Sequence, residues 1–191
     1  MSKKNFFLMA ACIISGLVCV NSVKAEGGPT NTDNVTVNIK FSPIQSIVVT
    51  SAQKNVDILY ASTDHYNNGV SVTKDDHLTV FSTGGFQVSV GTTTANFTRA
   101  GAGGGDIPVA DVTVKAANGS TTNPEPTFAD VALSTTPAAL ITTTKGGRDL
   151  KYSVTYDNTE GGSDKYIDKY ISSDGTESVY TATVTYTIAA Q

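Results

Sequence analysis

The chain of 191 residues contains no tryptophan, two histidines and two cysteines. Without tryptophan, any aromatic platform for a sugar ring has to come from its eight tyrosines or seven phenylalanines. Cys12 and Cys19 both precede residue 25, so the rest of the chain can form neither a disulfide framework nor a thiolate zinc site. Charged residues are sparse at 16%, and no basic run follows Lys3-Lys4. That excludes the electrostatic footprint of a nucleic-acid binder. No segment keeps an apolar period of 3.6 for longer than about two turns. A helical bundle is thereby excluded, and a core has to be built from strands.

What is present begins with an export signal. Ser2-Lys3-Lys4-Asn5 is a short basic region, Phe6 to Val20 is apolar, and Val23-Lys24-Ala25 places small residues where a signal peptidase cuts. The apolar run is shorter than the ~20 residues a membrane-spanning helix needs, so residues 1–25 read as a signal peptide, with no membrane insertion after cleavage. Removing it leaves 166 residues with 10 basic and 17 acidic side chains, enough for one sandwich domain held by its core alone. Residues 26–33, with Gly27-Gly28-Pro29, read as a flexible polar leader, and 34–191 as the domain.

The pattern of the domain is set by its opening stretch. Val35, Val37, Ile39 and Phe41 alternate with Thr36, Asn38 and Lys40, which puts four apolar side chains on one face of a strand. Pro43 interrupts the ladder, and Ile44, Ile47, Val48 and Val49 resume the apolar run. Further strands are expected at Val56–Tyr60, Val70–Val72, Leu78–Phe81 and Phe86–Val90, with Lys74-Asp75-Asp76 as a solvated turn. Ser82-Thr83-Gly84-Gly85 carries a hairpin signature. Strands are also expected at Ile107–Ala116, Phe128–Ser134, Leu140–Thr143, Leu150–Tyr156 and Val179–Ile188. The fold class is therefore all-β, an antiparallel immunoglobulin-like sandwich of about nine strands, whose first and last strands are expected at the centre of a sheet rather than at its edge.

No catalytic, cofactor or metal signature emerges. His65 and His77 sit in stretches that read as solvated turns, and no nucleophile elbow accompanies either. The glycines at 101–105 lack the Gly-Lys-Ser/Thr ending of a phosphate loop. Asp157 to Glu177 is acidic enough to suit Ca²⁺ but lacks the spacing of an EF-hand. Tyr66, Tyr152, Tyr156, Tyr166 and Tyr170 offer rings for a glycan.

The order of pieces resembles a known family. Val37-Asn-Ile-Lys-Phe-Ser-Pro-Ile-Gln-Ser-Ile-Val-Val49, Val131-Ala-Leu-Ser134, Leu150-Lys-Tyr-Ser-Val-Thr-Tyr156 and Tyr180-Thr-Ala-Thr-Val-Thr-Tyr-Thr-Ile188 follow one another as in exported bacterial fimbrial subunits. The likeness is to the chaperone–usher class, including its spore-coat-U or archaic type. It implies a non-enzymatic structural or adhesive surface protein whose partners are itself or other subunits, joined by strand addition. The chain departs from that family in its polar leader and in lacking the pilin disulfide. The competing reading is a monomeric periplasmic or secreted module for glycan or peptidoglycan.

Val35, Val37, Ile39 and Phe41 are thus either the domain's own first core strand or a strand for exchange, with Val184, Tyr186 and Ile188 on the C-terminal partner strand. The expectation is an own strand, because the apolar pattern runs on past Pro43 without a flexible linker. Val37, Ile39, Val88, Val184 and Ile188 should then be buried, and Lys40, Gln87 and Thr185 should face out. For export, mass spectrometry of the protein recovered from its host should find Glu26 at an unlipidated N-terminus; an intact Met1 would contradict cleavage.

Overall fold

Alternating β-branched residues produce twelve strands in the computed structural model, which describes residues 31–101, 106–121, 123–172 and 175–191. The expected signal peptide and residues 26–30 of the leader lie outside the described residues. The strands are β1 (Gln45–Val49), β2 (Val70–Ser82), β3 (Phe86–Thr92), β4 (Asn96–Arg99), β5 (Ile107–Pro108) and β6 (Thr113–Asn118). They continue as β7 (Thr127–Phe128), β8 (Val131–Ala132), β9 (Ala138–Thr143), β10 (Gly147–Asn158), β11 (Tyr180–Thr181) and β12 (Val184–Ala190). A short helix, α1 (Thr63–Asn68), starts where Ser62 Oγ accepts the His65 N–H and stops at Gly69, whose φ of 75° suits glycine.

These strands form antiparallel sheets packed as a sandwich. One sheet runs β1-β2-β10-β6-β8, a second runs β12-β3-β9-β7, and a small third runs β11-β4-β5. Between the two large sheets lie Leu78, Val80, Phe86, Val88, Val90, Val114, Ile141, Tyr152 and Val154, all fully buried. They alternate along β2, β3, β6, β9 and β10, as period-two strands with one face inward must. Tyr152 buries its hydroxyl without a hydrogen-bond partner, a cost of about 1–3 kcal/mol. Its ring packs edge-on against Phe128 at 6.2 Å.

The all-β class holds, and the details differ from the sequence reading in four places. The first is Val35 to Phe41. Residues 31–40 carry no strand, and Val35, Val37, Ile39 and Phe41 are 85%, 80%, 78% and 91% exposed. They do not serve as a first core strand; the compact sandwich unit begins at Phe41. Within the sandwich unit, Ile44 exchanges backbone and hydroxyl bonds with Thr83. Pro43 and the short polar step at Ser42 separate the two apolar runs more completely than the pattern implied.

The second difference is at the paired glycines. β2 and β3 do not form a hairpin, because β2 pairs with β1 and β10 while β3 pairs with β12 and β9. Ser82 to Gly85 is an arch between sheets, as is the step from β9 to β10. The third is the expected turn at Lys74-Asp75-Asp76, which instead lies inside β2. There Val154 faces Lys74 and Tyr152 faces Leu78, so three residues of β2 oppose Ser153 alone. This bulge fits a residue at φ 49°, Asp76. Asp76 accepts the Ser120 N–H at 2.7 Å and the Ser120 hydroxyl at 2.6 Å. One consequence is that His77 turns inward and is 1% exposed rather than solvated.

Fourth, the ends of the domain are edges. β1 and β12 each have a neighbour on one side only among the described residues. Val88 is fully buried as expected, but Val184 and Ile188 are only partly so, while Lys40 and Thr185 face out and Gln87 is half-buried. Leu78→Ala should cost about 2–5 kcal/mol in urea unfolding, as a fully packed core position does. Ile39→Ala should change stability by less than about 0.5 kcal/mol, as exposed sites do. A large loss at Ile39 would restore the core-strand assignment.

Candidate functional site

An unclosed sandwich leaves a seam, and here the first and last strands among the described residues wall it. β1 packs on β12 without a ladder between them. Gln45 lies opposite Ser82 in β2, and Ala190 opposite Phe86 in β3, so the open ends of both strands meet beside the arch. Past β1 and the 3₁₀ turn Ser51–Gln53, residues 56–60 still alternate. Val56, Ile58 and Tyr60 are half-buried while Asp57 and Leu59 are exposed. Yet among the described residues no backbone group of 55–60 bonds to another backbone group. The period-two pattern predicted a strand at Val56–Tyr60, and among the described residues this stretch forms none.

The lining of this seam is apolar and incompletely covered. Ile47, Val49, Val56 and Ile58 on one wall and Val184, Tyr186 and Ile188 on the other are only partly buried against the core. A cavity of about 270 Å³ lies at the arch end, bordered by Phe41, Pro43, Gln45, Gly85, Ala190 and Gln191. A larger cleft, about 470 Å³, lies at the opposite end between residues 56–61 and 177–180. Five tyrosines line the cleft: Tyr60, Tyr66, Tyr166, Tyr170 and Tyr180.

Polar joints fix both walls. At the cleft, Asn158 is 3% exposed and serves three partners. Its Oδ1 accepts from the Tyr60 hydroxyl at 2.7 Å, and its Nδ2 donates to the Asp111 carbonyl at 2.7 Å and the Tyr166 oxygen at 3.2 Å. Tyr166 in turn donates to Asp111 Oδ2 at 2.7 Å, and Lys165 pairs with Asp111 Oδ1 at 2.8 Å. Burial, then the nearby Asp111 carboxylate, pushes the Tyr60 phenol up to about 12, so it stays a donor. A Cβ at Gly161 would collide with the Tyr60 hydroxyl and the Tyr166 ring, which explains the glycine there. Midway along the seam, His77 of β2, Tyr156 of β10 and Tyr186 of β12 form a hydrogen-bonded row across the two sheets.

The residues singled out from sequence are distributed as follows. Val184, Tyr186 and Ile188 all lie on the free edge strand β12, opposite Thr92, Val90 and Val88 of β3. His65 accepts the Ala61 N–H through Nδ1 at 3.1 Å, a turn-closing role, and among the described residues no carboxylate or nucleophile bonds to its ring. Among the described residues no three His, Cys, Asp or Glu side chains gather as for a metal ion. Within the acidic stretch, Asp157 is committed to Lys115 at 2.8 Å, Ser71 at 2.7 Å and the Thr159 N–H at 3.1 Å. Burial would raise its carboxyl, but the Lys115 and hydroxyl bonds prevail and hold it at about 2. The row through His77 and the Asn158 joint were not foreseen. Each joins residues far apart in the chain, and only the alternation of Tyr152, Tyr156 and Asn158 on one face of β10 could have hinted at them.

No protein-family model matches the chain, and no curated protein matches it. For the cleft, Asn158→Ala should cost about 1–3 kcal/mol in urea unfolding, since it strands buried donors and acceptors. Tyr66→Phe, which keeps the ring and touches none of these bonds, should leave the unfolding midpoint unchanged. Equal losses from both would mean that the Tyr66 hydroxyl matters to the cleft as much as the Asn158 joint does.

Proposed function

We propose that the chain is an exported, non-enzymatic structural or adhesive surface protein, fimbrial-subunit-like, that assembles by strand addition. The observation carrying this reading is the exposed ladder Val35, Val37, Ile39 and Phe41, each at least 78% exposed and alternating with polar residues. Such a ladder is a complete strand face without a sheet. The same chain offers a sheet edge without a strand, since β12 pairs only with β3 among the described residues. The lengths agree: residues 35–41 number seven, as do those of β12.

The energetics favour a match. Burying each such side chain is worth about 1.5–3 kcal/mol, and main-chain bonds to β12 would fix register. Left open, the edge and the exposed ladder are an association hazard. A strand carried into another copy's seam removes both at once. The partners are then further copies of this chain or subunits with a similar edge, and the site of action is the periplasm, the outer surface or the surrounding medium. The net negative charge of the processed chain suits neither nucleic acid nor an anionic membrane as partner.

A second reading, a glycan- or peptidoglycan-binding module, draws on the five tyrosines of the cleft. Their rings could stack on sugar faces with hydroxyls at the rim. Deleting residues 26–41 separates the two readings. Strand addition expects a folded monomer that no longer self-associates in size-exclusion chromatography, with association of the intact protein blocked by a peptide of residues 34–41. An intact protein that stays monomeric at all concentrations and binds glycan through the cleft would establish the second reading instead.

A further inference from the structure

His77 is buried to 1% exposure within the β2 bulge, and both of its ring nitrogens are engaged. Nδ1 lies 3.0 Å from Gln53 Oε1, and Nε2 lies 2.9 Å from the Tyr156 hydroxyl. Tyr156 and Tyr186 hydroxyls are 2.7 Å apart. Gln53 donates through Nε2 to the Asp75 carbonyl at 2.9 Å, which leaves its carbonyl oxygen facing His77 as an acceptor. Nδ1 therefore carries the proton, and Nε2 accepts from Tyr156. Tyr156 accepts in turn from Tyr186. Every donor in the row has an acceptor only while the imidazole is neutral.

A proton added at Nε2 reverses the row. Nε2–H then donates to the Tyr156 oxygen, the Tyr156 O–H swings to the Tyr186 oxygen, and the Tyr186 O–H loses its acceptor. Among the described residues, the groups facing the ring include no carboxylate. They are Gln53 on the turn after β1, Tyr156 on β10, Tyr186 on β12 and the charged Lys74 on β2 itself. The nearest carboxylate in sequence, Asp76, is held by Ser120 and Lys151. Burial first, and Lys74 second, keep the imidazole below its ordinary titration range.

We propose that His77, Tyr156 and Tyr186 form an acid-sensitive latch that ties the edge strand β12 to the opposite sheet and releases it on acidification, opening the seam. That the opened seam then receives a strand more readily rests on the function proposed above; the latch itself does not. The sign follows from where the proton binds better. With β12 released, His77 titrates near its ordinary value of about 6.5, whereas the latched form resists protonation. The latch is at full strength above that value and weakens as pH falls below it, by up to about tenfold per pH unit until the latched form itself titrates.

The test is amide hydrogen exchange followed by NMR on the purified monomer, corrected for intrinsic rates. From about pH 7.5 to about pH 5.5, the β12 amides bonded to β3 should open about tenfold more often, with the β6–β10 ladder unchanged. His77→Gln keeps an acceptor for Tyr156 and cannot titrate, so it should abolish the acid response. Should that variant not fold, the His77 ring of the native protein decides. A ring that titrates at or above the ordinary value of about 6.5 overturns the latch, as does β12 exchange that merely tracks β6 at both pH values. Binding of the peptide of residues 34–41 is read separately. If β12 is released by acid but the peptide binds no better, the latch stands and its link to strand acceptance falls.

Discussion

The structure depends on one constraint: two sheets bury a dry core between them without closing on each other. β2, β3, β9 and β10 supply almost all of the fully buried side chains, from Leu78 and Val80 to Ile141 and Val154, and burial of that size is what stabilises a domain lacking disulfides. None of it draws on residues 31–40. The core is therefore complete in the middle and thin along one side, where β1 and β12 have apolar residues turned inward but, among the described residues, no strand beyond them. The seam, the exposed ladder before it and the cleft below it all derive from that unequal distribution.

Polar groups do there what apolar packing does elsewhere. The Asn158 joint connects β10, the turn at Val109–Asp111, the segment at Tyr60 and the loop at Tyr166 through side-chain groups and the Asp111 carbonyl. Such bonds are directional and leave unsatisfied groups when broken, so they hold the walls at a fixed separation that nonspecific contact would let collapse. The bulge at Asp75–His77 serves the same end. It spends three residues of β2 against Ser153 and so aims an imidazole across the sandwich.

Much of the fold was legible in the sequence because period-two alternation is a local signal. β3, β6, β9, β10 and β12 each overlap an expected strand and run past its bounds at one end or both, and the all-β class followed from the lack of any helical period. What was not legible was non-local. Alternation at Val35–Phe41 and at Val56–Tyr60 states that one face is apolar; it does not state whether a partner exists to cover it. The paired glycines at Gly84-Gly85 mark a chain reversal equally well for a hairpin and for an arch between sheets. Lys74-Asp75-Asp76 has the composition of a turn, and only the Ser120 and Lys151 side chains bound to Asp76 make it a bulge. For the site, the inward residues of β12 could be read directly, whereas His77 could not.

The two arches have a kinetic consequence. Because β2 and β3, and again β9 and β10, part into opposite sheets, neighbouring strands in sequence cannot nucleate one another as a hairpin would. The central ladder joins Val70 to Asn158 and Leu78 to Tyr152, so a long loop must close before the first lasting pair forms. Chains with contacts this distant fold in roughly milliseconds to seconds rather than microseconds.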